Sequence, residues 1–122
     1  MAKKILIADD EQNIVISLEF LMKREGFEVL IANDGEEAVR RIRSDRPDLV
    51  LLDVMMPKKS GFEVCQEIKA DPALAAVRIL MLTAKGRDTE VAKGLALGAD
   101  AYMTKPFSTK ELVEKVRSML GA

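Results

Sequence analysis

The sequence predicts a single α/β domain built on a parallel sheet of five strands, and three observations predict it. Five short apolar runs recur along the 122 residues, their starts roughly 22 to 29 residues apart. The segments between them carry apolar residues at helical spacing. The length suits one domain, and repeated strand–helix units of this size build parallel sheets covered by helices.

The runs are Lys4-Ile5-Leu6-Ile7-Ala8, Phe27-Glu28-Val29-Leu30-Ile31, Leu49-Val50-Leu51-Leu52, Arg78-Ile79-Leu80-Met81-Leu82 and Ala101-Tyr102-Met103. The first, third and fourth are nearly continuous, as in strands buried on both faces. The second and fifth are poorer in apolar residues and suit the edges.

Ile14, Leu18, Leu21 and Met22 form the stripe of a first helix, stopped at Gly26. Ala38, Val39 and Ile42 mark a second, ended before Pro47. Val64, Cys65 and Ile68 mark a third, ended near Pro72. Val91, Leu95 and Leu97 mark a fourth, stopped at Gly98. Gly94 lies inside it at a cost of about 1 kcal/mol against alanine, which makes this helix the easiest to shift. Ser108 with Glu111 forms a capping box for the fifth, whose stripe is Leu112, Val113, Val116, Met119 and Leu120.

Composition removes whole classes of chemistry. There is no histidine, so Ser-His-Asp and Cys-His catalysis, His-containing zinc sites and an imidazole pH switch are excluded. The single Cys65 cannot form an internal disulfide and suits a reducing compartment, the cytoplasm. Nineteen basic against 20 acidic residues argue against general nucleic-acid binding. The apolar run after Lys3 and Lys4 is too short for an export signal or a membrane span.

The informative polar residues fall at the C-terminal strand ends. Asp9 and Asp10 follow the first strand, the third ends on Asp53, Thr83 follows the fourth, and Lys105 with Pro106 follows the fifth. In an open parallel sheet these ends share one edge, where ligands bind. Singly, each has a plain structural role: Asp9, Asp10 and Glu11 complement a helix N-terminus, Asp53 serves a turn, Thr83 caps a helix and Lys105 is solvated. Together they gather three carboxylates, a hydroxyl and an ammonium on one rim.

Neighbouring carboxylates raise one another's pKa, a conflict that a divalent cation resolves. Oxygen-only ligands select Mg2+ or Mn2+, and Mg2+ leaves coordination positions for phosphate oxygens. A carboxylate can itself accept a phosphoryl group, and Asp53 on the central strand is best placed for this. Asp9 and Asp10 would hold the metal. Lys105 and Thr83 would meet phosphoryl oxygens, so that catalysis reduces to positioning and charge neutralisation.

At these residues the chain resembles the receiver domain of two-component response regulators, of the single-domain chemotaxis type. The resemblance rests on Asp9-Asp10, on Leu51-Leu52-Asp53-Val54-Met55-Met56-Pro57 with Gly61 following, on Leu82-Thr83-Ala84, and on the segment from Gly98-Ala99-Asp100 to Lys105-Pro106-Phe107. It covers residues 1–122 and implies a three-layer, flavodoxin-like (βα)5 fold with strand order 2-1-3-4-5. It implies Asp53 as phosphoacceptor, and Asp9, Asp10, Asp53 and the Met55 carbonyl as ligands of Mg2+ or Mn2+. Thr83 and Lys105 are then phosphoryl contacts, Tyr102 the switch aromatic, and Lys105-Pro106 a cis peptide. Met55 and Lys85 stand where family members tune phosphoryl lifetime.

The resemblance further implies a sensor histidine kinase or histidine phosphotransfer protein as donor. The output partner, a downstream protein or a second copy, would meet the face of helix 4, strand 5 and helix 5. There Lys93, Asp100, Glu111 and Lys115 resemble charges that pair across a dimer. Direct nucleic-acid binding, a membrane association and enzymatic turnover beyond self-phosphorylation and self-dephosphorylation are not expected. Two readings stand beside the stand-alone switch: a receiver belonging to a larger DNA-binding regulator, and an aspartyl-phosphate phosphatase. The phosphatase would want an Asp-x-Asp motif after the first strand and a cap insertion. A flavodoxin-like electron carrier would want a Ser/Thr-rich phosphate loop and aromatics for the flavin, where this chain has Asp9-Asp10-Glu11 and one tyrosine.

Overall fold

The computed structural model describes residues 2–84 and 88–121. In chain order the elements are β1 (Lys4–Ala8), α1 (Gln12–Arg24), β2 (Glu28–Ala32), α2 (Gly35–Asp45), β3 (Leu49–Asp53), α3 (Gly61–Lys69), a 3-10 turn (Pro72–Leu74), β4 (Arg78–Ala84), α4 (Asp88–Ala96), β5 (Ala101–Lys105) and α5 (Thr109–Leu120). The five strands are parallel in the order β2-β1-β3-β4-β5. The fold is therefore the flavodoxin-like arrangement, with β2 and β5 at the edges.

Alternation along the central strands makes the three layers. Leu6, Val50, Leu52, Ile79 and Met81 face one side and pack with Ala38, Val39 and Ile42 of α2 and Val64, Cys65 and Ile68 of α3. Ile5, Ile7, Leu49, Leu51, Leu80 and Leu82 face the other and pack with Val15, Leu18 and Met22 of α1 and Leu112 and Val116 of α5. Each fully buried Leu or Ile contributes roughly 1.5–3 kcal/mol from apolar burial, so the three central strands anchor the domain.

Caps fix where the helices begin. Asp34 accepts from the Glu37 N–H at the start of α2, and that bond holds its carboxyl below the usual range. Ser60 and Glu63 make a full reciprocal capping box at α3. At α5, Ser108 Oγ accepts from the Glu111 N–H, the first half of the box expected there. Gly26, with φ +93°, turns the chain after α1 in a conformation that side chains rarely adopt.

Three details differ from the sequence expectation. β4 and β5 run two residues further than their apolar runs, so Thr83 and Lys105, like Asp53 at the expected end of β3, are strand residues held by the ladder rather than by loops. In α1 the buried stripe includes Val15, while Ile14 is only half-buried. In α4 the residue turned inward is Gly94, against Met81 and Phe62, and Leu95 is 44% exposed.

Candidate functional site

Parallel register carries the polar residues to one rim. Asp53 pairs with Leu82, and Thr83 and Ala84 pair with Thr104 and Lys105. Asp9 follows directly on β1 and its N–H donates to the Ala32 carbonyl. The long Lys105 side chain then crosses the strand ends. Its Nζ donates to Asp9 Oδ2 at 3.1 Å and to Asp53 Oδ1 at 3.3 Å, with Glu11 Oε1 at 3.8 Å.

Glycine makes the rim open where it must. The segment after β3 folds back over the strand end, and the Gly61 N–H donates to the Val54 carbonyl. A Cβ at Gly61 would stand 2.3 Å from the Asp53 carbonyl oxygen, inside its van der Waals envelope. Pro57 O accepts from the Gly35 N–H, and Lys58 lies 3.7 Å from Asp34, so this segment is also tied to the start of α2.

Carboxylate oxygens of Asp9, Asp10 and Asp53 lie within 4.8 Å of one another. Asp9 and Asp53 are buried, with 0% and 6% of their surface exposed, and Asp10 faces solvent. Burial, and then the Asp9 carboxylate, push Asp53 up to about 6, against which Lys105 acts downward. Burial would lower the Lys105 ammonium, but Asp53 and Asp9 outweigh it and the net direction is upward. Among the described residues one ammonium faces these three carboxylates and cannot offset them all.

Thr83 supplies the second irregularity. It is 1% exposed, and its Oγ1 has no hydrogen-bond partner among the described residues. A buried hydroxyl left unpaired costs roughly 1–3 kcal/mol. The oxygen-only donor set and this unpaired hydroxyl together fit a hard cation with an oxyanion beside it. The cleft there measures about 320 Å3 and is lined by Asp10, Glu11, Asp53, Val54, Met55, Leu82, Ala84, Glu90 and Lys105.

The structure thus brings together Asp9, Asp10, Asp53 and Lys105, with Met55 in the cleft wall and Thr83 on the adjoining strand. Lys105-Pro106 is a cis peptide. Tyr102, on the edge strand opposite Met81, is turned outward with 45% of its surface exposed. Lys85 lies outside the described residues. Two acidic residues of the cleft carried no distinguishing signal in the sequence: Glu11 read only as a helix-start acid, and Glu90 sits in a helix whose inward face the sequence misjudged.

The four charges of the proposed output face lie away from the rim. Lys93 stands 4.6 Å from the centre of the Phe62 ring. Asp100 accepts from Lys69 Nζ at 2.9 Å and from the Ile79 N–H at 2.8 Å, joining α3, β4 and the approach to β5. The Glu111 side chain is exposed and Lys115 is half-buried. Cys65 is buried, and burial pushes its thiol up to about 11, far from a reactive thiolate.

Residues 5–117 match the family model described as the response regulator receiver domain. Over 120 residues the chain is 47% identical to the alkaline phosphatase synthesis transcriptional regulatory protein PhoP of Bacillus subtilis, covering 98% of this chain and 49% of that protein. The chain spans about half the length of this curated relative. Among solved structures it is similar to the chemotaxis protein CheY4 of Vibrio cholerae, at 30% identity and TM-score 0.91, covering 98% of this chain and all of that one. It is also similar to the receiver domain of the sensor histidine kinase PA1611 from Pseudomonas aeruginosa, at 28% identity and TM-score 0.91 with both chains fully covered. That structure holds a magnesium ion in its active-site cleft.

Proposed function

The chain belongs to the response regulator receiver domain family, the signal-receiving module of two-component systems, and from that premise we propose that it is a switch that accepts a phosphoryl group on Asp53. The observation that carries this reading is the convergence of Asp53, Asp9, Asp10 and Lys105 beside the unpaired, buried Thr83 hydroxyl. Receiver domains bind Mg2+ in this cleft, and Asp9, Asp10, Asp53 and the Met55 carbonyl would hold it here. When bound there, such an ion would supply neutralisation of the charge on the transferring group.

The residues divide the work. An Asp53 carboxylate oxygen attacks phosphorus, the donor's phosphorus–nitrogen or phosphorus–oxygen bond breaks, and the acyl phosphate forms. Lys105, already drawn to Asp53, follows the charge onto a phosphoryl oxygen. The Thr83 hydroxyl donates a hydrogen bond to another, and Tyr102 then has an inward position to occupy. These 122 residues contain no histidine, so the donor is a phosphohistidine outside them or a small phosphodonor. Met55 and Lys85 would set the lifetime of the acyl phosphate, and turnover is confined to self-phosphorylation and self-dephosphorylation.

A sensor histidine kinase or histidine phosphotransfer protein is the upstream partner in this reading, and the protein works in the cytoplasm. Downstream, the α4–β5–α5 face meets an output protein or a second copy, with Lys93, Asp100, Glu111 and Lys115 as its charges. The similarity to PhoP favours a second reading at the level of the whole protein, a receiver coupled to a DNA-binding output. No described helix is long and apolar enough to cross a membrane.

Incubation with beryllofluoride and Mg2+, followed by amide spectra of wild type and Asp53→Asn, tests the switch. Wild type should show shifts from Asp53 through Thr83 to Tyr102, and the variant none. A response that survives in Asp53→Asn, or is missing from both proteins, would refute it.

A further inference from the structure

A broad groove lies away from the rim, between α2 and α3. It encloses about 930 Å3 and is walled by Val39, Arg40, Arg43, Lys59, Glu67 and Ala70, with Glu36 and Ser44 at its margins. Arg40 and Arg43 stand three residues apart on one helix face and make no ion pair among the described residues. Arg43 lies in the last turn of α2, where a cation complements the helix dipole. Arg40 lies a turn earlier, outside that effect. Lys59 faces them from the other wall, paired with Glu67 of α3.

We propose that this groove docks an acidic amphipathic segment of a partner protein, whose carboxylates meet Arg40 and Arg43 and whose apolar side chains rest on Val39 and Ala70. Two exposed guanidinium forks that close no ion pair among the described residues match paired acids, and a partner carboxylate can take Lys59 from Glu67. An acidic peptide suits the site better than a nucleic acid. The groove has an apolar floor and no aromatic side chain in its wall for bases to stack on.

The groove is also joined to the phosphoacceptor segment. Lys59 belongs to the turn that follows Asp53, its N–H donates to the Pro57 carbonyl at 2.8 Å, and its backbone lies against Gly35 so closely that a Cβ there would stand 2.1 Å from the Lys59 carbonyl oxygen. A ligand that holds Lys59 therefore bears on residues 54–60. This coupling gives the docked partner a route to the rim that does not pass through α4, β5 or α5.

The test is an amide-resolved titration of the full chain with a helix-forming peptide carrying glutamates on one face and leucines on the other. A peptide with glutamines in place of glutamates and a short DNA duplex serve as comparison ligands. The expected result is salt-sensitive shifts in α2, α3 and residues 54–60. Binding should weaken about tenfold in the exposed double variant Arg40→Glu with Arg43→Glu, and recover with a lysine-faced peptide. The proposal fails if the acidic peptide leaves these residues unshifted, if the glutamine peptide binds as well, or if only the duplex binds. Far-ultraviolet dichroism of the double variant confirms that lost binding is not lost fold.

Discussion

Lys105 Nζ lies 3.1 Å from Asp9 Oδ2, although the two residues are 96 positions apart in the chain. The contact exists because β5 and β1 end on the same rim and a lysine stem is long enough to pass Asp53 on the way. Among the described residues this ammonium is the positive charge held against the site's carboxylates. Any arriving ion competes with it for the same oxygens.

Asp53 carries a measurable pH signature. A carboxyl raised on folding from 3.8 to about 6 favours the fold only while protonated: that contribution is complete below 3.8 and is lost as the pH rises through about 6. Asp53→Asn removes this dependence. In metal-free buffer the variant should be more stable than wild type by about 2 kcal/mol at neutral pH, with the gain vanishing in acid. Thermal melts of both proteins across the pH range measure the difference, and equal neutral-pH stability would overturn the assignment.

Metal binding should titrate with the same group. Protons and Mg2+ compete for Asp53, whose carboxyl is raised to about 6. Affinity should climb about tenfold per pH unit below that value and level off above it. Isothermal calorimetry over the range decides it. A flat profile would mean that Asp53 is not a ligand.

Thr83→Val separates stability from switching. The substitution keeps the branched shape and removes a buried hydroxyl that has no partner among the described residues. The resting protein should gain about 1 kcal/mol in urea denaturation, while the amide response to beryllofluoride should be lost or much reduced. A destabilised variant would show that the hydroxyl is satisfied in solution.

Gly94→Ala probes the softness of α4. A Cβ there meets Met81 and Phe62 side chains at 3.5–3.8 Å, ordinary contact distances. With no steric penalty, the helix gain of about 1 kcal/mol should appear as a rise in melting temperature of about 4 °C. The stiffened helix should also shift less on beryllofluoride binding, as amide spectra would report. An unchanged melting temperature would mean that the glycine is not the weak point.

Much of this was legible in the sequence, for identifiable reasons. Ile5-Leu6-Ile7 and Leu49-Val50-Leu51-Leu52 are apolar on both faces because helices cover both sides of the sheet. The rim acids announced themselves because carboxylates directly after apolar strand runs are costly without a purpose. What stayed hidden depends on contacts between distant segments. The need for Gly35 and Gly61 lies in the backbone of another turn. Lys69 meets Asp100 across 31 residues, and neither residue's type foretells the pairing. The inward face of α4 was misjudged because periodicity counts apolar side chains, and the residue that packs inward has none.

The strand that carries Thr83 is anchored very unequally. At its start, Asp100 accepts from the Ile79 N–H and returns its own N–H to the Ile79 carbonyl, while Lys69 donates to both Asp100 and the Val77 carbonyl. At its far end the Thr83 hydroxyl has no hydrogen-bond partner among the described residues. β4 is thus a cantilever, rooted at one end and loaded at the tip. In the switch proposed above, a pull on Thr83 would act at the tip, away from the Asp100 and Lys69 contacts that root the strand.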